Sequence, residues 1–165
     1  MIKLLRLDER LIHGQIAIKW SRHLGVDRII VANDAAASNT VVQKSLMMAA
    51  PATAKVAIKS VDDAIAMMKN PKAADHDIML LVNNPDDLIK MMDNLDPLPA
   101  LVDIGNYGRI AMKKADGSAR DTYRVNLYLY PEEKEVLAKA LNYGVECIYQ
   151  TVPEEAAEQL DKVLG

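Results

Sequence analysis

Short apolar runs alternate with longer amphipathic ones from the start of the chain to its end. Residues 2–7 read as a strand, and residues 15–24 as a helix with Ile16, Trp20 and Leu24 on one face. Gly25 is placed to cap that helix. Residues 28–32 form a second strand that ends at Asn33-Asp34. Ser38 reads as the N-cap of a helix to about residue 50, with Val41, Val42, Ser45, Leu46 and Ala49 turned inward. Pro51 stops it, and residues 54–59 give a third strand. Ser60 opens another helix with an acid three residues on, and Ala64, Ile65 and Met68 continue its apolar face. Residues 78–82 are apolar throughout, as in a strand covered on both faces. Asn84-Pro85 starts the next helix, with Met91, Met92 and Leu95 on its inner side. A strand follows near residues 100–104, and the stretch 105–124 is the least regular. There Asp116-Gly117 is a turn signal between two short extended pieces. Residues 125–129 read as a strand, 131–142 as a helix capped by Gly144, 145–150 as a strand and 154–164 as a closing helix.

This order predicts the α/β class, with one doubly wound, mostly parallel sheet and helices on both of its faces. No linker, low-complexity tract or internal repeat divides residues 1–165, so a single domain with one substantial core is expected.

Composition changes little in that picture and charge changes more. Hydrophobic residues make up 50% of the chain and charged ones 26%, as in an ordinary globular protein. Phe is absent and Met numbers nine, so Leu, Ile, Val and Met must fill the core. The net charge of −3 argues against nucleic acid or an anionic membrane as a partner. Residues 1–30 hold six basic and three acidic side chains, and residues 105–124 hold five and two. Each stretch is therefore +3, which leaves −9 for the remainder. If the two meet, they make a cationic patch suited to an anionic ligand. Cys147 is the only cysteine, which excludes a disulfide framework, and it reads as a buried strand residue. The three histidines show no metal-ligand spacing with acids, and no cofactor is implied. With no signal segment and no apolar run approaching 18 residues, a cytoplasmic protein is expected.

The chemistry concentrates where the first strand gives way to the first helix, in Arg6-Leu-Asp8-Glu9-Arg10-Leu-Ile-His13-Gly14-Gln15. Ligands of α/β proteins bind outside the carboxyl ends of strands. Gly14 lets a ligand approach the backbone, and the following helix start offers unpaired N–H groups at the positive end of its dipole. Arg10 and Arg6 add charge-assisted donors. His13 is a nucleophile usable near neutral pH, and Asp8 is placed to bond a ring nitrogen or anchor an arginine. Gln15 has its amide within reach of the same anion. Asp34, Gly105 and Asn106 end other strands at the same edge and are expected beside the loop: Asp34 to bond His13 or Arg10, the other two to offer N–H groups to a phosphate. Nothing here matches a glycine-rich nucleotide fingerprint.

The decapeptide resembles the active-site segment of IIB components of the mannose/fructose/sorbose class of the bacterial sugar phosphotransferase system. That family usually reads Arg-(Ile/Val)-Asp-(Asp/Ser)-Arg-(Leu/Phe)-(Ile/Leu)-His-Gly-Gln. The resemblance extends through Trp20, Val31-Ala-Asn-Asp34 and the loop from Gly105. It implies an open α/β fold and a phosphohistidine relay without a cofactor. His13 would take a phosphoryl group from phospho-IIA through Nδ1 and pass it to a sugar entering through the IIC/IID membrane complex. Contact with the membrane would then be peripheral, through that complex. Two departures stand out. Glu9 replaces a shorter residue, and Gly105-Asn-Tyr-Gly-Arg109 replaces a Gly-Gly-Met-Arg. Two rival readings remain at this point: a regulatory IIB-like phospho-sensor, and a sugar-phosphate or nucleotide-binding enzyme with His13 as acid or base. The sequence names no sugar, and it leaves room for a homo-oligomer.

Overall fold

The computed structural model describes all 165 residues. In chain order it runs β1 (Ile2–Asp8), α1 (Gly14–Leu24), β2 (Arg28–Ala32), α2 (Asp34–Ala37), α3 (Thr40–Ala49), β3 (Lys55–Lys59) and α4 (Val61–Lys69). Then come β4 (Ile78–Val82), α5 (Pro85–Asn94), β5 (Val102–Asn106), β6 (Asp121–Arg124), β7 (Leu127–Leu129) and α6 (Pro131–Ala138). The chain closes with β8 (Cys147–Tyr149), β9 (Glu158–Gln159) and α7 (Leu160–Leu164). Single 3₁₀ turns cover Pro71–Asp75 and Lys139–Asn142.

Seven strands form one sheet in the order β3-β2-β4-β1-β5-β8-β9. All of its pairs are parallel except the last, where the short β9 runs against β8. β6 and β7 form a separate hairpin, tied to the end of β5 by a bridge between Tyr107 and Leu127.

Alternation along the inner strands sends their residues into two apolar layers. Leu5, Leu7, Ile30, Leu80 and Val82 pack with α4, α5, α6 and α7. Leu4, Ile29, Val31, Met79 and Leu81 pack with Ala17 and Trp20 of α1, Ala36 of α2 and Leu46 of α3. The sheet is thus covered on both faces, as the alternating pattern predicts. No helix is long and apolar enough to cross a membrane. Cys147 is buried, which pushes its thiol up to about 11.

Three segments differ from their sequence reading. Residues 34–50 form two helices, because Ser38 closes α2 and Asn39 caps α3 by accepting the N–H groups of Val41 and Val42. α3 then lies on an axis that buries only Leu46 and leaves Val41, Val42, Met47 and Met48 exposed. Asp116 forms a local turn by accepting the Ser118 N–H, while the hairpin closes further on, between β6 and β7. The closing helix is short because Glu158 and Gln159 pair with Tyr149 and Ile148.

Candidate phosphate site

On β1, period-2 alternation puts Leu4, Arg6 and Asp8 on one face. Leu4 enters the apolar layer beneath α1, and Arg6 follows it into the interior with only 1% of its surface exposed. A buried guanidinium needs partners. Arg6 has two carboxylates and two carbonyls. Nη1 bonds the Asp103 carboxylate and the Gln150 carbonyl (2.9 Å), and Nη2 bonds Asp8 Oδ2 (3.2 Å) and the Thr151 carbonyl (3.1 Å). Asp103 stands opposite Arg6 in the parallel register of β1 and β5. Burial pushes its carboxyl up to about 7, against the opposing pull of Arg6 and the Gln150 N–H. Trp20 lies over the guanidinium, 5.3 Å from ring centre to Cζ, and its indole N–H donates to the Thr151 carbonyl (3.0 Å).

Asp8 carries this buried cluster to the surface. Its Oδ2 meets His13 Nε2 at 2.9 Å, while Oδ1 accepts the Arg10 N–H at 3.0 Å and its carbonyl accepts the Leu11 N–H at 2.9 Å. The loop is bent through Leu11, whose φ of 62° is left-handed and costs about 1–2 kcal/mol for a residue with a Cβ. Burial of Leu11 and Ile12 in the layer beneath α1 offsets that cost and pins the loop. His13 then occupies the N-cap of α1 in an extended conformation, its side chain free of the helix and about a quarter exposed. Gly14 enters the helix at φ 49°, which a side chain would strain. The first-turn N–H groups have no capping side chain.

Because a carboxylate only accepts, its contact with Nε2 selects the tautomer that has its proton there. The lone pair of Nδ1 is left for a ligand.

A cavity of about 180 Å³ opens beside the ring, with polar walls apart from Ile16. Arg10, exposed and unpaired, lines it together with Arg109, whose Nη2 donates to the Val125 carbonyl (2.7 Å). Asn106 lines it too, and its buried Oδ1 has no hydrogen-bond partner. Glu9 closes another side. Its carboxylate accepts the N–H groups of Gly108, Arg109, Ile110 and Ala111 at 3.0–3.2 Å. The two departures from the family pattern, Glu9 and the loop after Gly105, are therefore in contact with each other. A larger and mainly apolar cavity, about 530 Å³, lies at the opposite end of the sheet by Ile2 and Ile78.

Several predicted site residues sit elsewhere or act differently. Asp34 is not beside His13, because β4 separates β2 from β1. Its Oδ1 instead accepts the Val61 N–H at the start of α4 (2.9 Å). Asp34→Ala is expected to cost about 1 kcal/mol, the usual loss for such a helix-start contact, and to leave phosphoryl transfer at its normal rate. Urea unfolding and a labelling assay check the two halves of that expectation. Arg6 reaches the cavity wall, but its charge is spent on Asp8 and Asp103. Gly105 is required by Arg6: a Cβ there would lie 2.0 Å from Cζ of the guanidinium. It leaves room for that side chain and does not line the cavity. Gly14 and Gln15 follow His13 at the helix start without lining the cavity. The basic stretch is also partly neutralised, by Lys114–Glu132, Arg120–Glu133 and Arg124–Glu158 pairs. Of its five cations, Arg109 is the one in the cavity wall.

Sequence reading left out Asp103, Asn126 and Thr151. Asp103 had a signal, an acid inside an apolar strand. Asn126 and Thr151, which bond each other in the cavity wall (3.0 Å), had none.

The family model for the sorbose-subfamily IIB component of the phosphotransferase system matches residues 2–165. The chain belongs to that family. It is 38% identical over 166 residues, all of both chains, to the "probable phosphotransferase enzyme IIB component" of Streptococcus pyogenes. It is 39% identical over 143 residues to the mannose-specific EIIAB component of Escherichia coli, covering 86% of this chain but 41% of that longer protein. The crystal structure of the IIB domain of the sorbose permease from Klebsiella pneumoniae superposes with a TM-score of 0.85 at 28% identity, over 99% of this chain and 95% of that one. The mostly parallel seven-stranded sheet is thus the fold of this family. IIB components are phosphoryl-transfer components of a sugar-transport system and work in general with IIA and with membrane IIC and IID partners.

Proposed function

We propose that His13 of this IIB component is the phosphoryl acceptor, attacking through Nδ1. The observation that carries the reading is the Asp8–His13 contact, which ties up Nε2 and leaves Nδ1 as the free nucleophile beside a polar cavity. The donor is a phosphohistidine of a IIA protein. As the Nδ1–P bond forms, the donor's P–N bond breaks and its electron pair returns to the donor ring. The His13 ring gains positive charge while its Nε2 proton stays on the Asp8 side, where the carboxylate stabilises it. Phosphoryl transfer depends mainly on alignment and on stabilising the equatorial oxygens. Arg10, Arg109, the Asn106 amide and the first-turn N–H groups of α1 are the donors available for that. In the second half-reaction the hydroxyl of a sugar held by the IIC/IID complex attacks phosphorus and gives up its proton to solvent, while the P–Nδ1 bond breaks and its electron pair returns to Nδ1. The openness of the site suits this reversibility, since Arg10 has no partner that would lock it onto a bound phosphate.

Arg10→Ala should fold normally, because its side chain is exposed and makes no hydrogen bond or ion pair. Its transfer rate from phospho-IIA should fall by about 10²–10³, the usual loss when one donor to a transition-state oxygen is removed. A rapid-quench assay with radiolabelled phospho-IIA checks this. Sugar phosphate formed in membranes carrying cognate IIC and IID separates a carrier from a phospho-sensor, which would label without making that product.

A further inference from the structure

Glu9 lines the cavity, but both of its carboxylate oxygens are taken up by the loop that follows β5. The Glu9 backbone N–H bonds the Asn106 carbonyl at 2.9 Å, which fixes the end of β1 against the end of β5. Beyond that point the chain curls so that four successive N–H groups converge on one anion. Oε1 takes those of Gly108 (3.0 Å), Ile110 (3.2 Å) and Ala111 (3.1 Å), and Oε2 takes that of Arg109 (3.0 Å). Only 8% of the Glu9 surface is exposed, so the interaction is little screened by solvent. Successive N–H groups aimed at one point form an anion-binding concavity. That curl and the anion at its centre depend on each other, because the four dipoles would repel if the carboxylate were removed.

The same loop carries Arg109 into the wall of the cavity beside His13. Its guanidinium is tied down through Nη2 to the Val125 carbonyl (2.7 Å), and it lies 5.8 Å from the centre of the Tyr128 ring. Nε and Nη1 remain without protein acceptors. Gly108 permits the curl: its φ is 101°, and a Cβ there would lie 2.0 Å from the Tyr128 carbonyl oxygen. Since the loop's own N–H groups are consumed by Glu9, what the loop can offer a phosphate is the Arg109 side chain.

We propose that Glu9 is a positioning residue: its carboxylate holds the 108–111 loop in the conformation that stands Arg109 in the phosphate cavity as a second cation beside Arg10. Three consecutive residues then divide the work. Asp8 orients the nucleophile, Glu9 shapes the loop, and Arg10 meets the phosphate directly. The proposal rests on the reading of His13 as phosphoryl acceptor.

A double-mutant cycle tests it, with the intact chain and phosphoramidate as a small donor that needs no protein docking. The rate of His13 phosphorylation is measured for the wild type, Glu9→Ala, Arg109→Met and the double variant. Each single variant should be slower by about tenfold or more, and the double variant no slower than Arg109→Met alone. The donor concentration for half-maximal rate should rise in both single variants. A double variant slowed by the product of the two single effects would overturn the proposal, as would Glu9→Ala labelling at the wild-type rate. If Glu9→Ala does not fold, Glu9→Gln is run through the same cycle, since its amide can accept from only one side of the loop. His13→Ala separates the two levels. If it labels like the wild type, the acceptor assignment itself fails; if it stays unlabelled while Glu9→Ala labels normally, only the role of Glu9 fails.

Discussion

His13→Gln is expected to accept no phosphoryl group from phospho-IIA while remaining folded. Its amide nitrogen reaches roughly where Nε2 stands and keeps the hydrogen bond to Asp8, but nothing replaces the lone pair of Nδ1. His13→Ala should be equally inert and slightly less stable. The ring is partly exposed and makes one side-chain hydrogen bond, so its loss costs about 1 kcal/mol. For a chain of this length that corresponds to roughly 2–4 °C in Tm. Acid-labile label counted after incubation with phospho-IIA, together with a thermal melt of each variant, measures both effects. Full labelling of either variant would remove His13 from its assigned role.

Arg6→Met should have the largest effect on stability. It leaves Asp8 and Asp103 buried side by side without their shared cation, and breaking such a pair from one side costs about 3–5 kcal/mol. The loss should depend on pH in a particular direction. Burial already raises Asp103 to about 7 from an ordinary 3.8, and Arg6 is one of the influences that hold it down. Without Arg6 the folded-state value rises further. Below 3.8 the carboxyl is protonated in both folded and unfolded chains, so the penalty is small there. From about 4 to 7 the folded carboxyl stays protonated in both proteins while the unfolded chains ionise, so both lose stability alike. The variant's extra deficit opens as pH climbs through about 7, where the wild-type carboxyl ionises beside Arg6 and the variant's stays protonated. Urea unfolding at pH 4.5 and pH 7.5 should show the variant's deficit widening at the higher value. A deficit equal at both would mean that Arg6 matters for its packing against Trp20 and not for its charge. Gly105→Ala reaches the same cluster from the other side by displacing the guanidinium, and should show a deficit of the same sign.

The elements were legible in the sequence where local physics decides them. The uninterrupted apolar run Ile78–Val82 became a strand buried along its whole length, and Gly25, Ser60 and Asn84 cap helices as their types suggest. What could not be read was the lateral order of the strands. Chain order invites the ends of β1 and β2 to meet, and that inference brought Asp34 to the site. In the sheet β4 comes between them, a consequence of how crossovers pack and of no single residue. Charge in the 105–124 stretch misled for a related reason, since the acids that neutralise it lie later in the chain, at Glu132, Glu133 and Glu158. The decapeptide itself was readable as a cluster. The division of labour within it was not, because Arg6 and Arg10 look alike in sequence. β1 alternation turns one inward to two carboxylates, while the loop turns the other out to the cavity. Asp8 could be assigned only once the distance to Nε2 was known.

That distance also gives the most direct test. Protein labelled with ¹⁵N in its histidine rings, phosphorylated from phospho-IIA and followed through its two-bond ¹H–¹⁵N couplings, reports which ring nitrogen carries phosphorus. The expected result is a single phosphohistidine at residue 13, with phosphorus on Nδ1 and the proton on Nε2. Phosphorus on Nε2, or on His23 or His76, would contradict it.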